Sequence, residues 1–256
     1  MTKFSKPSKF LALVLALAMK TLKLRYKNSI FGFLWSMINP IIYLVIFTFV
    51  FGNVFPEIDR YPLYALTGLV FWIFFSTSTI QVIESIINSS GVLKSINIPT
   101  IAFPLSAQLA SLISLFLSMI PFMILMLIFG LRLSWESLIF FPVLILFTAF
   151  TFGISLILTS FNVYFRDMQL AWGSFMPAIF YATPIAYTAN LIPAKFVWVL
   201  KLNPLYHFIG ALRHAFYYNT LPSLEETGIL LVMGLGPLAI GYWIFNKLEK
   251  GFVSQY

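Results

Sequence analysis

Residues 63–83 read LYALTGLVFWIFFSTSTIQVI, an apolar run with no charged side chain. About 20 such residues span the hydrocarbon core of a bilayer as a helix. Stretches of this kind recur at residues 30–52, 101–131, 138–165, 168–188 and 227–246. A transmembrane β-barrel would instead alternate apolar and polar residues in segments of about ten. The expected fold is therefore an all-α polytopic membrane protein with six transmembrane helices. The third and fourth stretches exceed the requirement, so they are expected to tilt, kink or extend into water. Pro40, Pro104, Pro121, Pro142, Pro177, Pro184 and Pro237 fall within the spans, a pattern membrane bundles tolerate. In the third span Ala107, Ala110, Ser111, Ser114 and Ser118 form stripes of small residues that let helices approach closely.

Composition agrees. Hydrophobic residues make up 60% of 256 and charged residues 9%, and mean hydropathy is +0.93. A soluble domain carries about 25% charged residues, so this chain lacks the polar groups to cover a globule. It has no cysteine, which rules out disulfides and thiolate metal sites. It also lacks a Gly-x-x-x-x-Gly-Lys loop, so ATP hydrolysis by that device is not expected in this chain. No metal, cofactor or catalytic group is expected.

The formal charge of +8 sorts by loop rather than forming one basic patch. With the N-terminus inside, Lys3, Lys6, Lys9, Lys20, Lys23, Arg25, Lys27, Lys94, Arg166, Lys247 and Lys250 face the cytoplasm. Arg60, Arg132, Lys195, Lys201 and Arg213 then lie outside. The positive-inside rule favours this orientation, with both termini cytoplasmic. Residues 1–29 form a separate N-terminal unit. Residues 10–19 are apolar but too few to span, and basic residues flank them on both sides. An interfacial helix fits better than a secretory signal, whose following chain would not carry such a cluster. Residues 30–256 form one six-span domain.

Residues 189–224 are apolar yet interrupted by Pro193, Pro204 and Pro222. Asn203-Pro204 reads as an N-cap with a first-turn proline, opening a helix over 205–218 that is too short to cross. Two short re-entrant or outer helices are expected there. His207 and His214 lie seven apart and read as hydrogen-bonded histidines rather than metal ligands or bases. None of the six spans carries an ionisable group at its centre, so a proton or ion relay is not expected. Energy for uphill transport must then enter through a partner. Trp35, Tyr43, Trp72, Trp172, Tyr181 and Tyr187 lie deep enough to offer flat faces to sugar rings. Asn39, Thr48, Ser76, Thr77, Ser78, Thr79 and Gln81 could bond hydroxyls. Residues 84–100, ESIINSSGVLKSINIPT, form an amphipathic connector in which Ser89 or Ser90 caps a helix that Pro99 stops.

Four segments carry a family resemblance: RYKNSIFGFLW at 25–35 followed by Asn39-Pro40, NVYFRD at 162–167, YATPIAY at 181–187 and LNPLY at 202–206. Together they resemble the permease subunits of ABC exporters for bacterial polysaccharides, the O-antigen, capsule and teichoic acid class. The similarity covers essentially the whole chain. It implies a homodimer in the cytoplasmic membrane with two separate ATPase subunits, which bind the ATP and magnesium, and a lipid-linked glycan as cargo. It makes residues 84–100 the coupling segment, with Ser90, Leu93, Lys94, Ser95, Ile96 and Asn97 at the ATPase. Arg25, Tyr26, Lys27, Arg166 and Asp167 become cytoplasmic entry and interface residues. Residues 189–224 become an outer gate, sealed by Tyr206, Phe208 and Tyr217. A permease for a drug, lipid or nodulation factor is the near alternative, an ATP-independent channel a more distant one, and a membrane enzyme the third. The mature protein is expected to retain residues 10–19; N-terminal sequencing that begins at Met19 would overturn the interfacial helix.

Overall fold

A chain this poor in charge has to hydrogen-bond its own backbone, and it does so in helices. The computed structural model describes residues 7–95, 98–130 and 133–252, and among these there is no β-strand. From residue 35 onward the long helices alternate in direction, giving the bundle a Glu84 end and a Tyr61 end. α1 (Pro7–Arg25) starts with proline at its first position and closes with Lys23 and Arg25, where cations complement the helix dipole. After a turn through Asn28 and Gly32, both at positive φ, a 3₁₀ turn leads into α2 (Trp35–Phe51). α3 (Tyr61–Glu84) returns, α4 (Ser90–Ser95) is a short connector helix, and α5 (Ala102–Ile128) and α6 (Phe140–Tyr164) form the next pair. α7 (Asp167–Ala182), α8 (Val197–Leu202), α9 (Pro204–Arg213) and α10 (Leu224–Leu248) complete the chain.

α3 is the axis. Most of its side chains are buried, among them Leu66, Leu69, Phe71, Phe74 and Phe75, and it contacts α2, α5, α6, α7 and α9. Phenylalanines knit the centre: Phe75 stacks on Phe150 at 5.8 Å, and Phe147 and Phe150 meet Phe208 at 5.2 and 5.4 Å. The small-residue stripe of α5 does allow close approach. Ser111 donates to Gln81 of α3 at 2.9 Å, and Ser118 donates to the Ser36 carbonyl of α2 at 2.6 Å.

Among the described residues, five segments are long and apolar enough to cross a membrane: Gly32–Phe51, Tyr61–Glu84, Ala102–Ile128, Trp135–Tyr164 and Leu224–Gly251. These match five of the six expected spans. The last begins earlier than expected because Ser223 and Glu226 form a capping box at its start. The expected span over 168–188 is not one helix. α7 stops at Ala182 after 16 residues, about 24 Å at 1.5 Å per residue. The physical cause is Pro184. Its ring disfavours helical backbone at the preceding residue, and Thr183 is extended at φ −108°, ψ 126°.

α10 packs on α6 at backbone contact. A Cβ on Gly153 would run into the main chain of Pro237 and Leu238, and one on Gly241 would run into the Gly153 carbonyl. A Cβ on Gly236 meets nothing within 4 Å. Gly241→Ala is therefore expected to destabilise the purified protein by about 1–3 kcal/mol through overpacking. Gly236→Ala, in the same helix, should be neutral or stabilising by up to about 1 kcal/mol. Thermal unfolding in detergent of the two variants side by side checks the contrast.

Candidate functional site

At the Tyr61 end the chain after Ala182 runs irregularly through residues 183–187 before two 3₁₀ turns and α8. Its carbonyls have no helical partners, and other elements supply donors one by one. The Arg213 guanidinium donates to Pro184 O at 2.9 Å and Ile185 O at 2.6 Å. The Tyr61 hydroxyl donates to Ala186 O at 2.9 Å, and the Tyr64 hydroxyl to Tyr187 O at 3.1 Å. Asn203 donates to the Thr183 hydroxyl at 2.9 Å while its own carbonyl caps α9 through Leu205 N–H at 3.0 Å. Arg213 is only 5% exposed, and its guanidinium lies 3.6 Å above the Tyr64 ring. Gly68 makes room for it: a Cβ there would sit 3.1 Å from an Arg213 nitrogen. Thus YATPIAY and LNPLY, distant in sequence, form one hydrogen-bonded junction.

The outer-gate candidates divide. Phe208 is fully buried among Phe147 and Phe150, so it is a core residue of α9 and not a surface plug. Tyr206 and Tyr217 are half-buried. The Tyr217 hydroxyl donates to Asp59 O, linking the turn before α3 to the end of the α9 segment. Burial, with the Asp59 carboxylate beside it, pushes that hydroxyl up to about 12, so it remains a donor at physiological pH. Asn203 caps α9 as its sequence implied, with Pro204 at the first position. His207 bonds the Lys201 carbonyl at 2.9 Å, and His214 bonds Thr220 at 2.6 Å. Both are hydrogen-bonded histidines. The fold also places Glu226 3.9 Å from His214, a neighbour absent from the local sequence. A cavity of about 290 Å³ lies between Tyr64, Tyr206, His207, Arg213, His214 and Glu226.

At the Glu84 end, α1 lies along α5 and reaches the connector. Val14, Leu93, Ile98, Ala102 and Phe103 form one buried cluster, with Phe10, Leu13 and Leu17 packed against it. Leu93 of the coupling candidates is thus buried, and Ser90 opens α4. Lys94 and Ser95 close α4, and Ile96 and Asn97 lie outside the described residues. Arg25 donates to Ser114 of α5 at 3.2 Å, and its second terminal nitrogen is buried without a partner. Tyr26 shares a 2.7 Å bond with Ser36 of α2. Arg166 and Asp167 are exposed at the Glu84 end, at the start of α7, and Lys27 is exposed beside Arg25, which meets α5 at Ser114, 12 residues beyond its first residue, Ala102. Leu93 thus meets the start of α5, while Arg25 and Tyr26 meet α5 and α2 farther along.

The aromatic candidates split by location. Trp35, Tyr43 and Tyr181 are exposed, Tyr181 at 73%. Trp72 is buried against Phe180 at 5.2 Å, and Trp172 donates to Thr79 at 3.0 Å and packs on Phe75. The half-buried Tyr187 donates to Tyr181 O at 2.6 Å. Several polar candidates face inward too. Ser76 and Thr77 bond the Ile73 carbonyl within α3, Ser78 bonds Gln108, and Gln81 bonds Ser111. Only Asn39 of this group is exposed.

Two features of the site are not evident in residue order. Arg213 reads from loop charge only as an outer positive residue, although a lone arginine inside the apolar run FIGALRHAF signals a buried partner. The second is the set Glu84, Asn162 and Gln169, which meet across three helices.

Comparison with known proteins places this geometry. A family model described as ABC-2 type transporter matches residues 12–217. The chain is 35% identical to an O-antigen export system permease protein, RfbA, of Klebsiella pneumoniae, over 94% of each chain. It is 28% identical to an O-antigen export system permease protein RfbA of Myxococcus xanthus over 95% of each. It is 22% identical to the polysialic acid transport protein KpsM of Escherichia coli, over 94% of this chain and 95% of that one.

Removing the cation from the junction tests its role. Arg213→Met leaves two buried carbonyls without donors, at about 1–3 kcal/mol each, whereas Tyr61→Phe removes one bond worth about 1 kcal/mol. Arg213→Lys should fall between, since an ammonium lacks the planar fork. Thermal unfolding gives the order, and limited proteolysis should show cleavage within residues 183–188 in Arg213→Met first.

Proposed function

The chain belongs to the ABC-2 type transporter family, and from that membership we propose how it works as the membrane-spanning permease of a polysaccharide exporter. The observation that carries the cargo class is the match to O-antigen export permeases along almost the full length of both chains. The chain contributes the path and a separate ATPase subunit the energy, because the sequence holds no phosphate-binding Gly-x-x-x-x-Gly-Lys loop. Two copies of the permease pair in the inner membrane, each docked to one ATPase subunit.

In this reading the Glu84 end is cytoplasmic and the Tyr61 end external, with both termini inside. α7 and the irregular residues 183–187 together make the sixth crossing. α1 lies at the interface. Its Val14 face packs on α5, Leu11, Leu15 and Met19 are exposed toward lipid, and Lys9, Lys20 and Lys23 reach the head groups. The ATPase presses on α4, and Leu93 passes the displacement to α1 and the start of α5 through their shared apolar cluster. The exposed Trp35, Tyr43 and Tyr181 line the glycan path. An aromatic face holds a sugar ring by apolar contact without fixing its position, which suits a sliding polymer. The α8–α9 segment closes the external end, with Tyr206 and Tyr217 at its rim.

Vesicles containing the permease with its ATPase should move lipid-linked glycan only with hydrolysable nucleotide. Uphill movement without nucleotide or companion subunit would overturn the exporter reading. Ser95→Arg combined with Ile96→Glu should leave nucleotide hydrolysis measurable while glycan movement is lost. Unchanged movement would overturn the coupling assignment.

A further inference from the structure

We infer that Glu84, Asn162 and Gln169 form a joint through which displacement of the connector turns α7, the sub-length helix beside the transport path. The inference rests on the exporter reading and goes beyond it, since that reading routes motion from α4 into α1 and α5 only.

The geometry begins at Asn162, buried at the end of α6. Its amide nitrogen donates to Ile83 O at 3.2 Å, at the end of α3, and its carbonyl accepts from Gln169 N–H at 3.2 Å, in the first turn of α7. The residue preceding α7, Arg166, supplies no side-chain cap. Asn162 therefore caps α7 from across the turn and pins three helix ends at one point. The Gln169 amide then donates to one oxygen of Glu84, and Asn88 donates to the other at 3.3 Å. Asn88 belongs to the 3₁₀ turn Ile87–Ser89 that leads directly into α4. One carboxylate thus joins the connector to α7. One turn farther along, Trp172 donates to Thr79 of α3 at 3.0 Å, and Thr159 of α6 donates to Val82 O at 2.9 Å.

Beyond its first turn α7 is held on one face. Met176 is buried and Trp172, Ile179 and Phe180 pack against the core, while Leu170, Phe175 and Tyr181 are exposed. A helix with directional bonds at its first turn and apolar contacts on one face turns about that end by sliding on its neighbours. Its far end is bonded to the junction, Asn203 donating to Ala182 O at 3.3 Å and Tyr187 to Tyr181 O at 2.6 Å. A movement of Asn88 and Glu84 is then passed along α7 to the junction.

The test uses the full permease with its ATPase subunit in vesicles, reading nucleotide hydrolysis and glycan movement separately and complex assembly by gel filtration. Gln169→Leu and Asn162→Ala should assemble and hydrolyse nucleotide within about twofold of the parent, with glycan movement down about tenfold, the scale of a lost buried hydrogen bond. Glu84→Ala should behave likewise. The exchange Glu84→Gln with Gln169→Glu rebuilds a carboxylate–amide bond in the opposite sense and should recover movement to within about twofold. Hydrolysis and movement that fall in step, full movement in the single variants, or no recovery in the exchange would each overturn the joint. A parent complex that moves no glycan would instead overturn the exporter reading.

Discussion

Every feature of the Tyr61 end follows from one constraint, that a carbonyl away from water must find a donor. Pro184 ends α7 short of a full crossing, and the carbonyls of residues 184–187 are left without the N–H groups that a continuing helix would bring. Leaving them bare would cost several kcal/mol each in hydrocarbon. The fold answers with two tyrosine hydroxyls from the first turn of α3 and a guanidinium from α9. A guanidinium suits the task because its fork presents parallel donors and its flat face stacks on Tyr64. The broken crossing, the buried cation and the short external helices are parts of one solution.

The Glu84 end meets a different requirement with different groups. Here the joined helix ends come near water, and amides rather than a buried cation make the connections. An amide gives and accepts in one plane, so Asn162 satisfies an orphan carbonyl of α3 and an orphan N–H of α7 together. The one charged member, Glu84, is half-buried and accepts hydrogen bonds from Gln169 and Asn88, which offset the cost of its burial. The exposed basic residue Arg166 stays at the margin, where solvent and lipid head groups can meet it.

Between these ends the bundle depends on close packing, joined by hydrogen bonds between uncharged side chains. Gly153 and Gly241 bring α6 and α10 to backbone contact, and the small, buried Ser111 of α5 bonds Gln81 of α3. In a membrane there is no hydrophobic gain in hiding one apolar helix from lipid behind another, so fit decides which faces meet. α2, α7 and α10, whose outer faces remain uncovered, then have surface left for lipid, cargo or a second copy.

Much of this was legible in residue order. Apolar run lengths located five long helices, because a span's length is imposed by bilayer thickness and needs no partner to be read. Asn203-Pro204 announced the start of α9, because capping is a contact between near neighbours. The four family segments pointed to a polysaccharide exporter before any geometry was in view. Residue order alone could not show that Trp72, Trp172 and Phe208 turn inward, or that 168–188 is helix for only its first part. Nor could it show that Arg213 reaches Pro184 and Ile185, or that Glu84, Asn162 and Gln169 meet. Local chemistry settles where a helix begins and how long it can run. Which side chain answers which orphaned backbone group depends on rotation and depth of packed helices, and those are set only when all of them come together.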